Sequence, residues 1–191
     1  MKFAKCRSRR AEAAAVLVAA VLAAGPGVVA KLASGSGTEL KFVASQADVP
    51  VEGRFGRFSA DVDFDPTKPD QGRVNIAIDV ASVDTGSADA NDMLRGREFF
   101  DAGHYPQATF VSKAIVAEGG GKFRASGQFT LKGRSLPLAV PFTARGDGGG
   151  LWLEGSVPVS RLAYQVGQGE WADTGTLADP VLIRFKLYLP R

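Results

Sequence analysis
Apolar and polar residues alternate along most of this chain. Arg73 to Val80 (RVNIAIDV) puts Val74, Ile76, Ile78 and Val80 on one face. Lys122 to Leu131 sets Phe123, Ala125, Gly127, Phe129 and Leu131 on one side. Leu136, Leu138, Val140 and Phe142 alternate, as do Leu151, Leu153, Gly155 and Val157. The run Val181 to Leu189 sets Val181, Ile183, Phe185, Leu187 and Leu189 against Leu182, Arg184, Lys186 and Tyr188. Side chains on a strand point to opposite faces in turn, so each run predicts a strand with one face buried and one wet. The same pattern predicts strands at Glu39 to Ser45, Gly53 to Phe58, Ala60 to Phe64 and Thr109 to Val116. Turn signals separate them: DPTKPDQG at 65–72, EGGG at 118–121, KGRS at 132–135 and GDGGG at 146–150. One helix is predicted over Ala90 to Phe100, capped by Asp89 and with Asp92 in its first turn. Ala90, Met93 and Leu94 share one of its faces. The fold expected is all-β: about eight antiparallel strands closed into a barrel, with a short helical segment.

The N-terminus changes the reading of composition. MKFAKCRSRR carries five basic residues, and Ala13 to Ala24 is an unbroken apolar run. Val28 and Ala30 suit the −3 and −1 positions of a cleavage site. A charged start, a short apolar middle and a small-residue end form an export signal, expected over residues 1–30, with the mature domain over 31–191 in the periplasm. The run is shorter than the roughly 20 residues of a membrane span. Ser8-Arg9-Arg10 hints at a twin-arginine signal, but Ala11 to Ala13 do not complete it, which favours the ordinary secretory route. The chain has 23 basic and 20 acidic residues; five basic and one acidic fall in the signal, which leaves 18 and 19, a net charge of −1. The basic pI belongs to the signal, and a nucleic-acid-binding face has no support. Cys6 also lies in the signal, so the mature chain has no disulfide framework and must be held by its core.

Four stretches in order then carry a resemblance: GRFGRFSADVDFDP (53–66), IDVASVDTG (78–86), FFDAGHYPQATFVS (99–112) and GKFRASGQFTLKGRSLPLAVPF (121–142). Together they resemble the YceI family of exported, lipocalin-like proteins, from about Thr38 to Leu189. GQGEWADT (167–174) is similar to the branch found beside, or fused to, b-type cytochromes of the cytochrome b561 kind. The resemblance implies an eight-stranded lipocalin-like barrel and an elongated apolar cavity that holds a long isoprenoid or similar amphiphile. It attaches no enzymatic activity. Gln46, Met93 and Lys132 stand where many members carry histidine, and the first strand is reduced to Lys31-Leu32-Ala33-Ser34.

The candidate chemistry is sparse. His104, the one histidine, has Asp101 three residues before it. A catalytic base needs a nucleophile or metal beside it, and no GxSxG and no mature cysteine supplies one. His104 is read as a turn residue, Asp101 as a hydrogen-bonder at a helix end, and Tyr105-Pro106 as a stiff entry into the next strand. Asp61, Asp63 and Asp65 imitate a calcium loop, but Pro66 and Gly72 occupy its glycine and glutamate places. One histidine without a thiol serves zinc or copper poorly. Gly167-Gln168-Gly169 lacks the context of a dinucleotide site. Glu170 and Asp173 beside Trp171 are read as loop residues at the barrel mouth, or as a contact surface for a membrane cytochrome partner, ahead of a glycosidase pair. The aromatic set, Phe42, Phe55, Phe58, Phe64, Phe99, Phe100, Phe110, Phe123, Phe129 and Trp152, exceeds what turns require. The ligand-binding set expected is Phe42, Phe55, Phe58, Phe64, Ile76, Ile78, Met93, Leu94, Phe99, Phe100, Phe110, Phe129 and Trp171. Ala125 and Gly127 leave room between Phe123 and Phe129, and Arg54, Arg57 or Arg95 would orient a head group at the mouth. The expected ligand is an isoprenoid lipid or quinone, with no catalytic cofactor; monomer and homodimer both stay open.

Overall fold
The computed structural model describes residues 28–33 and 37–190. The expected signal falls outside these residues apart from its last three positions. Eleven strands and one α-helix follow in chain order: β1 (Val28–Ala33), β2 (Glu39–Gln46), β3 (Val49–Phe55), β4 (Phe58–Phe64), β5 (Arg73–Asp79), β6 (Val83–Asp84), α1 (Ala88–Arg95), β7 (Gln107–Gly119), β8 (Lys122–Leu131), β9 (Arg134–Gly146), β10 (Gly150–Ser160) and β11 (Pro180–Pro190). They form one antiparallel sheet ordered β1-β4-β5-β7-β8-β9-β10-β11-β2-β3-β6. The all-β, lipocalin-like fold stands, and the strand count is corrected from eight to eleven.

The sheet curls into a half-barrel whose edge strands, β1 and β6, do not pair with each other. The seam is joined in two other ways. β1 packs against β11. The chain itself crosses from β3, near one edge, to β4, near the other, through Gly56 and Arg57. The backbone NH of Gly56 donates to Ser82 O at 2.9 Å, and the NH of Arg57 donates to Ser82 Oγ at 2.9 Å. The single strand expected over Gly53 to Phe58 is therefore two strands with a break at the seam. Phe55 and Phe58 stand three residues apart, so the period-2 phase shifts at that break.

β1 begins at Val28, so it crosses the expected cleavage point; a cut after Ala30 would leave Lys31–Ala33 of the strand. The helix is shorter than expected. Ser87, not Asp89, caps it, its Oγ accepting from Ala90 N, and Gly96 ends it. Residues 97–100 continue as turns. Lys132 and Gly133 both take left-handed backbone (φ 48° and 73°). That is what a two-residue hairpin between β8 and β9 requires, because its twist then matches the strands.

The strand faces obey the alternation. β4 buries Phe58, Ala60, Val62 and Phe64 and turns Asp61 and Asp63 to water. At the end of the barrel that carries the turns at 65–72, 118–121 and 146–150, the core is solid. Phe64 is fully buried, edge-to-face with Phe123 at 5.0 Å and Phe142 at 5.4 Å. Burying an aromatic ring of this size contributes about 3 kcal/mol, so this plug fixes one end of the sheet.

Candidate functional site
Beyond the Phe64–Phe123–Phe142 plug the half-barrel is hollow. Inward residues of β2, β3, β5, β7, β8, β9, β10 and β11 surround one cavity of about 300 Å³. Phe142 forms its floor and Phe185 and Leu187 part of its wall. On β10 the lining runs from Leu153 to Val159 and on to Arg161 just beyond the strand, a path of about 26 Å at about 3.3 Å per residue. The wall is aliphatic and aromatic; the polar residues that line it are Gln46, Thr85 and Arg161.

The other end is covered by a lid of two segments, α1 with residues 96–100 and the loop 161–179. α1 contributes Ala90, Met93 and Leu94, followed by Phe99 and Phe100; the loop contributes Val166, Trp171 and Leu177. Met93 is 45% exposed although it lines the cavity, so it stands at the mouth. Trp171 packs on Phe99 with ring centroids 5.6 Å apart. The amides of Gly167 and Gln168 donate to Glu98 O at 2.8 and 3.0 Å. Lys132 Nζ donates to Arg97 O at 2.7 Å and Gln165 O at 2.8 Å, and so staples the two lid segments together. Burial pushes the Lys132 ammonium below its ordinary value, against the pull of Asp101. Asp173 shapes the far side of the loop by accepting from Thr176 N and Oγ1. The loop is sewn to β2 where Ala178 N donates to Ser45 O and Ala47 N to Thr176 O, both at 2.9 Å.

Most of the residues expected at the site meet here. Phe42, Phe55, Ile76, Ile78, Met93 and Leu94 line the cavity, and so do Phe99, Phe100, Phe110, Phe129 and Trp171. Two do not. Phe64 is locked in the plug, and Phe58 is buried at the seam outside the lining. Phe123 belongs to the same plug, stacked on Phe142 at 5.5 Å. Trp152 faces outward, against Tyr188 at 4.7 Å, with its indole NH donating to Asp147 at 2.8 Å. Ala125 lines the cavity but Gly127 does not; a β-carbon on Gly127 would run into the Val111 carbonyl, beside an irregularity in the β7–β8 register.

The arginines expected at the mouth are engaged elsewhere. Arg54 pairs with Asp84 at 2.8 Å, Arg57 with Asp79 at 2.7 Å and Arg95 with Asp92 at 2.8 Å. The arginine that does line the cavity is Arg161, 3% exposed, which the sequence reading passed over. Its signal was a lone cation inside an apolar stretch, VPVSRLAY (157–164). His104 is an exposed turn residue whose Nδ1 donates to Asp101 Oδ1 at 2.8 Å. Asp65 closes its turn by accepting from Thr67 N and Oγ1.

Comparison with known proteins fits this geometry. The YceI-like domain family matches residues 33–189. A UPF0312 protein of Shewanella oneidensis is 37% identical over 102 residues, 53% of each chain. The UPF0312 protein VPA0850 of Vibrio parahaemolyticus is 35% identical over 102 residues, 53% of this chain and 54% of the other. The chain thus matches about half the length of these curated relatives. The crystal structure of Burkholderia cenocepacia BcnA superposes with a TM-score of 0.78 at 45% identity, covering 79% of this chain and 95% of that one. A polyisoprenoid-binding domain from Saccharophagus degradans shares the fold, with a TM-score of 0.66 at 17% identity over 85% of this chain and 99% of that one. With a hollow, lidded half-barrel in hand and a match across nearly all of it, this chain belongs to the YceI-like domain family.

Proposed function
We propose that the protein binds and sequesters, or carries, a long apolar amphiphile of the isoprenoid or isoprenoid-quinone class, and that it does so after export to the periplasm. The observation that carries this reading is the cavity: a lining of about 26 Å, apolar as far as Arg161, with one plugged end and a lidded mouth. Extended carbon chain rises by about 1.25 Å per carbon from bonds of about 1.5 Å, so that length takes roughly 20 carbons straight, and more if the tail folds back. At about 0.3 kcal/mol per heavy atom, tails of ~20 to ~40 carbons would bring ~6 to ~12 kcal/mol without any catalytic group. The Saccharophagus degradans domain supports the reading at the level of fold.

An accessory role beside a b-type cytochrome, through the 167–174 loop, has less behind it. Trp171, its most distinctive side chain, is turned into the cavity. Purified protein, denatured and extracted, should release a prenyl lipid detectable by mass spectrometry. Repeated extracts without lipid, from protein that also takes up no added prenyl lipid, would end this proposal.

A further inference from the structure
We propose that the outer face of the plugged end carries a second site, which takes a neutral saccharide ring through Trp152, Glu154 and Arg145. Trp152 and Glu154 stand two residues apart on β10, about 7 Å, and both point outward while Leu151 and Leu153 are buried. Their register partners on β9 are Arg145 and Thr143. With Gly120 and Gly121 of the β7–β8 turn, these residues line a hollow of about 290 Å³. The wall of the sheet separates it from the lidded cavity, with which it shares no lining residue.

The aromatic floor is fixed in place. The Trp152 indole NH donates to Asp147 Oδ2 at 2.8 Å, Tyr188 packs on the ring at 4.7 Å, and Lys186 Nζ stands 4.5 Å from its centre. Asp147 is itself held by the amides of Gly149 and Gly150. These holds come from the 147–150 turn and from β11, and the hollow opens on the other side, over β9.

Glu154 is the unsatisfied member. Its Oε1 is buried and accepts no hydrogen bond, and it is the one buried side-chain oxygen or nitrogen left so among the described residues. Lys186 Nζ at 3.4 Å and Arg145 Nη2 at 3.9 Å hold it by charge. The side chain is 41% exposed, and that exposure falls beyond Oε1, on the part that lines the hollow. Arg145 is 75% exposed and reaches Glu154 only at ion-pair distance, so its donors stay open.

The lining therefore offers a carboxylate short of donors, a guanidinium short of acceptors and an aromatic ring beside them. A net anion would meet Glu154, and a net cation would meet Arg145. A hydroxyl both donates and accepts, so two neighbouring hydroxyls satisfy the pair together. Hydrogen bonds to ionised groups are the strong ones. The C–H face of the same sugar ring then lies on an aromatic surface whose π-face is negative. A hollow of this volume is at the small end of ligand sites, which suits one ring at the end or branch of a glycan. Occupied, it would hold the protein on a glycan by its plugged end and leave the lidded mouth free.

The test follows the full domain by NMR during titration with methyl glycosides of glucose, galactose, mannose, fucose and N-acetylglucosamine, and with phosphoethanolamine as a zwitterion. Among them the glycosides present both cis and trans diols. At least one glycoside is expected to bind in the millimolar range, moving the Trp152 indole NH and the amides of Gly120, Gly121 and Thr143, while the Trp171 indole NH stays in place. Glu154→Gln should weaken that binding at least about tenfold, the loss of one hydrogen bond to a charged acceptor. Arg145→Gln should weaken it as well. Both side chains lie outside the core, and an unchanged spectrum elsewhere shows that each variant folds. Silence of every glycoside, tighter binding of phosphoethanolamine than of any glycoside, or parental affinity in Glu154→Gln would each overturn the site. None of these results touches lipid uptake, so the site and the proposed function stand or fall separately.

Discussion
Phe42 and Gly53 face each other across β2 and β3, and their register explains how an aromatic wall leaves a hollow. A β-carbon on Gly53 would collide with the Phe42 ring, which lies over the glycine and flat against the sheet. Phe185 lies over Gly155 in the same way, but there the Pro141 carbonyl also crowds the site. Glycine opposite phenylalanine thus turns a ring that would project into the lumen into lining. Gly53→Ala should push Phe42 into the cavity, because the obstacle is a side chain that can swing. Overpacking of this kind costs about 1–3 kcal/mol, offset in part by the lower unfolded-state entropy of alanine. The expected result is a modest loss in denaturant midpoint, with a preference shifted toward shorter prenyl tails. An unchanged chain-length profile would mean that Phe42 does not set the capacity. Most lining residues were legible in the sequence because alternation names the inward face. It does not say whether an inward ring meets another ring or empty space, which is why Phe58 and Phe64 were placed at the site and are not there. The lone cation in VPVSRLAY marks Arg161 but not its role, because its four carbonyl partners come from the loop beyond it and no local pattern announces them.

At the scale of elements, α1 is the half of the lid that burial anchors least. α1 has no buried residue and is tied to its surroundings by Arg95, which donates to Ala81 O at 2.9 Å. Its partner loop is held by Arg161 from within and by Lys132 from the β8–β9 hairpin. Strands were legible because each carries its own period, and the hairpin at Lys132-Gly133 because it announces itself. The break at Gly56-Arg57, the start of β1 at Val28 and the two-residue β6 depend on partners far along the chain, so the sequence merged or omitted them. Lys132→Met matches the side chain as far as Cε and removes both staples to Arg97 O and Gln165 O. Hydrogen bonds from a charged donor are worth about 1.5–3 kcal/mol, less where solvent reaches them. The amides of Gly167 and Gln168, which donate to Glu98 O across the same junction, should then exchange with solvent about tenfold faster. Amides within β8 and β9 should keep their protection. Equal protection at Gly167 in both proteins would show that the staple does not hold the lid.

For the whole molecule, the curled sheet is held at its ends by acidic turns. Asp65 and Asp147 sit in turns at the plugged end, Asp84 at the entry to α1 and Asp173 in the lid loop. All four carboxyls are held below the usual carboxylate range. The first-ranking cause is the Thr67 hydroxyl for Asp65, the Gly86 amide for Asp84, the Trp152 indole NH for Asp147 and the Thr176 hydroxyl for Asp173. A carboxyl with a depressed folded pKa binds its proton more readily in the unfolded chain, so stability rises with pH between the folded and unfolded values. The contribution is complete above about pH 4 and is lost as the pH falls through the folded values below it. All four groups are open to solvent, so each contributes little alone; they act together with Glu39, which its hydrogen bond with Lys41 also holds low. Thermal unfolding should therefore be flat from pH 7 to about pH 5 and shift to lower temperature below about pH 4. Asp173→Asn should lower the midpoint at pH 7 and flatten the acid slope, because its turn then holds no charge to lose. An acid slope as steep in that variant as in the parent would place the sensitivity in carboxylates outside the lid.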